Sequence, residues 1–190
     1  MAAIDPKTCA VLALSMTPES MAGYPNAAEM LQKTARIMAA ARRASIPVIH
    51  GVVGFREGYP EVGQESMFQA LKRAGRSREG SAGIAPHPDL HPAPTDILLR
   101  KRRAGAFQGT DLDLLLRAQG RRTLALMGVR TSGAILFTSC WATDLDYRLA
   151  IITDCCADPN EEVHRVLLDQ VLAPYGTMTA EEFLAALATG

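Results

Sequence analysis

Two short stretches of this 190-residue chain have residue types and spacings suited to chemistry. The first is GVRTSGAILFTSC, residues 128–140, which reads as a strand end running into a helix start with small residues crowded at the turn. A helix start presents unpaired backbone N–H groups and the positive end of the helix dipole, so it binds anions and lowers the pKa of a thiol placed there. The turn here holds Ala134, and an alanine methyl cannot attack a carbonyl, so covalent catalysis at this position is excluded. The amides around Gly133 and Ala134 keep their affinity for negative charge. The second stretch is TDILLRK, residues 95–101, an apolar run that ends on Lys101 within the basic run RKRR. Spacing alone leaves Lys101 either on a solvated basic face or at a strand end facing a pocket.

Neighbouring side chains offer few substitutes for a nucleophile. Cys140 lies six residues beyond Ala134, ~600° around a helix at ~100° per residue, so it points away and reads as core. Ser132 is close enough to approach the same space, but its residue type and position predict a helix N-cap. Ser15, at the end of the first apolar run, can donate a hydrogen bond; a serine hydroxyl is a poor general base at neutral pH. His87 and His91 are four apart, a metal-ligand spacing on a helix, but Pro86, Pro88 and Pro92 argue against that helix and no metal is expected. Arg56 and Tyr59, in GVVGFREGYPE, are candidates for substrate contact or for a plain surface loop. Trp141 reads as packing or interface. No glycine-rich phosphate loop is present, and no cofactor is expected.

The elements that must position these residues follow from hydrophobic patterning. Apolar runs alternate with amphipathic stretches, the pattern of a mostly parallel sheet with helices on its faces. Strands are expected at 9–15, 46–53, 95–101, 123–128 and 149–154, the first without alternation, as befits a strand covered on both sides. A helix is expected from about Asn26, which with Glu29 has capping-box spacing, and another over 111–119, closed by Gly120. The helix entered at the 128–134 turn is expected to reach about Arg148. Asp158, Pro159 and Glu161 predict a further helix start, and Thr179 with Glu182 caps the last one. Residues 76–94 hold four prolines and two glycines, a loop long enough to predict a covering or interface role.

Length and composition suit one well-buried α/β domain over residues 1–190. Formal net charge is zero, so neither nucleic acid nor an anionic membrane surface is expected as a partner. Zero charge also removes one brake on self-association. No apolar run approaches the ~18 residues of a membrane span. MAAIDPKT lacks a basic start followed by an apolar run, which predicts a cytoplasmic location. Cys9, Cys140, Cys155 and Cys156 have no metal or redox spacing and read as buried free thiols.

The run from DILLRKRRAGAFQGT through LALMGVRTSGAILFTSC to LAIITDCCAD resembles the isochorismatase-like, or cysteine, hydrolases. The resemblance spans nearly the whole chain. Its most specific parts are a lysine ending the third strand before an AF turn, and GVxT entering a helix after the fourth. It implies a single-domain, Rossmann-like α/β/α sandwich, assembly into homodimers or homotetramers, and hydrolysis of a small molecule: an amide, an N-carbamoyl compound or a vinyl ether. It also implies an aspartate after the first strand, the lysine, a cysteine at the helix start, and turn amides beside a cis peptide that hold the oxyanion. Carried over, the lysine is Lys101, the turn aromatic is Phe107 and the cis peptide joins Val129 to Arg130. Ser15 takes the aspartate's position, Ala134 the cysteine's, and Thr17 that of a common glutamine. Arg130 replaces a usually small residue and adds a second cation, or points to an interface.

Two functions of different classes fit these substitutions. One is a hydrolase that works without a cysteine intermediate, through Lys101 and the turn amides. The other is a catalytically silent relative that binds a small acid or serves in assembly. Without an aspartate or thiolate beside it, a buried Lys101 loses its counter-charge; its pKa falls, or it binds an acidic ligand directly.

Overall fold

A computed structural model describes residues 4–189 as one α/β/α sandwich. Strand β1 (Cys9–Leu14) leads through a short helix α1 (Pro18–Met21) to the amphipathic α2 (Ala27–Arg43) and β2 (Val48–Val53). A long excursion with one helix, α3 (Gln69–Arg73), and two 3₁₀ turns precedes β3 (Ile97–Lys101). Next come α4 (Leu112–Ala118), β4 (Thr123–Val129), a π turn over Thr131–Ile135 and its continuation α5 (Leu136–Asp144). Then β5 (Arg148–Ala157), α6 (Glu161–Val166), a second π turn, α7 (Ala173–Gly176), β6 (Thr177–Met178) and α8 (Ala180–Ala188) complete the chain.

The sheet runs β3-β2-β1-β4-β5-β6, and every pairing is parallel. Strand order reverses between β1 and β4, where an open parallel sheet leaves a crevice beyond its carboxyl ends. Parallel strands need helical crossovers, which cover both faces of the sheet; hence the unbroken apolar runs and the complete burial of β1 and β4. On one face Val11, Ala13, Met127 and Ile152 pack against Met30, Ile37 and Met38 of α2 and Phe183 of α8. On the other, Leu12, Leu14, Leu99 and Leu126 pack against Leu112 and Leu116 of α4 and Ala142 of α5. Among the described residues no helix is long and apolar enough to cross a membrane.

Several local expectations need correction. β6 was not foreseen: two residues are too few for a hydrophobic pattern. Asn26 precedes α2, but its side chain makes no cap bond. The helix after β5 is capped by Asn160, not Asp158; Asn160 Oδ1 accepts from the Val163 amide at 3.1 Å. Ser132 is not an N-cap either, because the π turn starts one residue earlier, at Thr131. Cys140 is exposed rather than core, while Cys9, Cys155 and Cys156 are buried thiols whose pKa burial pushes up.

The Thr179–Glu182 capping box does form, with the Thr179 amide on Glu182 at 2.7 Å and the Glu182 amide on Thr179 Oγ1 at 3.3 Å. It starts the helix whose Phe183 is fully buried against α2. Thr179→Ala is therefore expected to cost about 1 kcal/mol, a fall of roughly 2–4 °C in Tm by calorimetry. An unchanged Tm would mean that packing alone holds α8.

Candidate active site

Four strands deliver their carboxyl ends to one edge of the sheet. Leu14 is in register with Gly51 on one side and Gly128 on the other, and Val53 with Lys101. Lys101 shares the sheet face of Leu99, two residues earlier, and is fully buried. Its side chain passes over Gly51; a Cβ there would lie 3.5 Å from Lys101 Cδ and 2.8 Å from a Leu14 methyl, so the glycine leaves room for both. Lys101 Nζ donates to the Ala104 carbonyl at 2.9 Å. No carboxylate pairs with it among the described residues, and burial alone lowers its pKa from 10.5 to about 7. The solvated basic face is thus left to Arg100, Arg102 and Arg103. Arg102 reaches Glu79 at 2.7 Å, Glu61 at 3.4 Å and the Gly54 carbonyl.

The turn after Lys101 is tied to the helix after β4. The Ala106 amide donates to Thr138 Oγ1 at 3.0 Å, and Gly105 lies so close to Phe137 that a Cβ would sit 3.2 Å from it. Phe107 is buried in the same cluster as Ala106, Ala134 and Ile135, its ring 5.7 Å from that of Tyr147.

At the end of β4, Gly128 has φ 135° and its Cα faces the β1 backbone; a Cβ would come 2.0 Å from the Leu14 carbonyl oxygen. The next peptide, Val129–Arg130, is cis. The Arg130 carbonyl then accepts from the amides of both Gly133, at 3.1 Å, and Ile135, at 3.2 Å; the longer span is the i−5 bond of a π turn. Gly133 and Ala134 are buried, whereas Arg130 is exposed.

Ser15 follows β1 in the left-handed region at φ 58°, its amide on the Gly51 carbonyl at 2.7 Å. Its hydroxyl has no hydrogen-bond partner among the described residues. Thr17 is buried and caps α1, accepting from the Ser20 amide at 3.2 Å. Tyr59 packs on Phe55 in a small separate core, and its hydroxyl donates to the Arg76 carbonyl at 2.7 Å. Arg56 is exposed and pairs with Glu61 at 2.7 Å. Both polar groups thus have protein partners in the loop after β2. Glu61 and Arg103 line a surface cavity of about 500 Å³, with Met67 and Phe68.

The body of the 76–94 loop crosses the same end of the sheet. Arg76 pairs with Glu19 of α1 at 2.5 Å, the His87 amide donates to the Met16 carbonyl at 2.9 Å, and Glu79 takes Arg102. His87 and His91 flank a single 3₁₀ turn, so no helix aligns them.

Two residues at the site were not singled out as functional by sequence. Asp158 Oδ2 accepts from the Ser132 amide at 2.8 Å and from Ser132 Oγ at 2.5 Å. His164 Nδ1 lies 2.8 Å from Thr131 Oγ1. Asp158 stood out only as a helix-start residue, and nothing in the local sequence links α6 to the 131–135 turn.

The isochorismatase domain matches residues 9–182. The chain is 29% identical over 196 residues to the uncharacterized isochorismatase family protein YecD of Escherichia coli O157:H7, covering 98% of this chain and 100% of that one. It is 25% identical over 166 residues to maleamate amidohydrolase of Pseudomonas putida, covering 87% and 78% respectively. Among solved structures, a cysteine hydrolase from Pseudomonas syringae pv. phaseolicola 1448A superposes with a TM-score of 0.89 over 100% of this chain and 96% of that one. Sequence identity there is 20%, so that likeness speaks for the fold. With a whole-domain match, a full-length relative and the expected six-stranded sandwich in hand, the chain belongs to the isochorismatase family.

Proposed function

We propose that this protein hydrolyses a small amide by direct attack of water, with Lys101 as the general base. The observation that carries this reading is the fully buried Lys101 amine, bonded among the described residues only to the Ala104 carbonyl and to no carboxylate. Beside an aspartate, such a lysine stays protonated and supports the aspartate's charge. Here Ser15 stands at that position, and burial brings the amine to about 7, where a base is matched to neutral-pH proton transfer. The neutral Nζ takes a proton from water as the oxygen attacks the carbonyl carbon. The Ala134 amide receives the developing oxyanion, since that of Gly133 is taken by the Arg130 carbonyl, and the ammonium returns its proton to the departing nitrogen. The free Ser15 hydroxyl orients the water, and Phe107 supplies an apolar wall. Ala134, small and inert, leaves space where relatives place a thiol.

The amide class is supported by the amidohydrolase among its relatives. A second reading keeps the same residues and drops the chemistry: a silent binder in which protonated Lys101 and Arg130 hold a small carboxylate. It draws on the lack of a nucleophile at Ala134. Self-association is proposed on the strength of Phe137 and Trp141, which a single chain leaves 47% and 45% exposed; sedimentation velocity measures it.

The deciding experiment is a panel of primary amides, N-carbamoyl compounds and vinyl ethers offered to this protein and to Ser15→Asp with Ala134→Cys. Turnover by the unaltered protein, rising with pH through about 7, is the expected result. Turnover only in the double variant, with unaltered protein binding the acids without cleaving anything, would establish the silent binder instead.

A further inference from the structure

The 131–135 turn is gripped from outside by the segment that follows β5. Asp158 reaches the turn with one carboxylate oxygen, 2.8 Å from the Ser132 amide and 2.5 Å from its hydroxyl. Its other oxygen accepts from the Asn160 amide at 3.3 Å. Asn160 caps α6, and α6 brings His164 Nδ1 to 2.8 Å from Thr131 Oγ1. Thr131 is fully buried, and its hydroxyl bonds no other side chain among the described residues. Three side-chain bonds thus converge on two consecutive residues, directly before Gly133 and Ala134.

The local backbone explains why a brace is needed. The Arg130 carbonyl accepts from residues three and five positions later, so two helical geometries overlap at the turn. Backbone bonds of mixed span do not by themselves fix the direction of the N–H groups between them. An oxyanion donor has to be aimed to within ~0.5 Å, and losing one costs about 10²–10³ in rate. The Asp158 carboxylate also occupies the Ser132 amide and the Arg130 carbonyl occupies that of Gly133, so the amide offered to an incoming anion is that of Ala134. Partial burial lowers the His164 pKa, which favours the neutral ring, in which one nitrogen can accept from Thr131.

We propose that Asp158 and His164 are positioning residues, which act through Ser132 and Thr131 to aim the amide of Ala134 at the reacting oxygen. This rests on the reading of that turn as an oxyanion site. Neither residue touches substrate.

The test compares His164→Leu and Asp158→Ala with His164→Gln and Asp158→Asn, which keep a hydrogen-bonding group in place. On whichever amide of the panel is turned over, the first pair is expected to lower kcat by roughly tenfold or more, with KM little changed. The ¹⁵N–¹H signal of Ala134 is expected to move, and its response to sodium acetate to weaken. The second pair is expected to restore most of both. If none of the panel is turned over, the hydrolase reading fails, and the amide signal and the acetate titration still decide this proposal. Apolar variants that leave kcat, signal and acetate response as they were would overturn it, as would a loss of kcat that only tracks the unfolded fraction and is equal in the conservative variants.

Discussion

Lys101→Met is expected to abolish turnover and, at the same time, to make the protein more stable. The lysine is buried without a counter-charge, and its pKa is lowered from 10.5 to about 7. Between these values the unfolded chain holds a proton on Lys101 that the folded protein does not. Stability contributed at this residue is therefore lost as pH falls from 10.5 toward 7, and the loss levels off below 7. At pH 8 the gap between 10.5 and 8 corresponds to roughly 3 kcal/mol against folding, at 1.36 kcal/mol per pKa unit. Methionine fills a similar volume without charge, so Tm at pH 8 should rise by several degrees, and the gain should shrink as the pH approaches 10. Removal of a general base lowers the rate by about 10²–10⁴. Lys101→Arg, which cannot deprotonate at these pH values, should be as inactive as methionine without its stability. A Lys101→Met protein that is less stable than its parent at pH 8 would mean that the amine is not held neutral at all.

The largest expected loss of stability is at Gly128→Ala. An alanine Cβ there meets the Leu14 carbonyl oxygen at 2.0 Å, its carbon at 2.8 Å and the Leu14 amide nitrogen at 2.9 Å, with φ at 135°. All three are backbone atoms of the adjacent central strand, so no side chain can turn aside. The β1–β4 pairing has to separate or shift, taking with it the crevice and the turn that follows. Against a total stability of about 5–15 kcal/mol, a loss above about 4 kcal/mol is expected, read as insoluble expression or a Tm lowered by more than about 10 °C. Gly133→Ala is the control: a Cβ there meets only Arg130 Cβ, at 3.7 Å, an ordinary contact. If Gly128→Ala folds as well as Gly133→Ala, the close approach of β1 and β4 is not as described.

The fold was legible because parallel strands announce themselves by long apolar runs, and β1, β2, β3 and β4 lie within a few residues of those runs. Ends were less so. Asp158 has the residue type of a helix cap, yet tertiary contact with Ser132 claims its carboxylate and Asn160 caps instead. Cys140 was assigned to the core from its angle relative to Ala134, but the π turn at 131–135 changes the rotation per residue, and the cysteine is exposed. At the site, Lys101 and the Val129–Arg130 turn could be picked out by resemblance to a family motif. Tyr59 and Arg56 could not be placed from spacing; their partners, the Arg76 carbonyl and Glu61, depend on how the excursion between β2 and β3 folds back. His164 meets Thr131 from 33 residues away, a distance no local pattern encodes.

Everything in the mechanism depends on an uncharged amine at the end of β3. Lysine side chains labelled with ¹³C at Cε report their own titration by NMR, and Lys101 can be assigned by its loss in Lys101→Met. A midpoint near pH 7 is the predicted result. A midpoint that stays near 10.5 would show an ammonium throughout the physiological range, and a base-catalysed hydrolysis at this site would be ruled out.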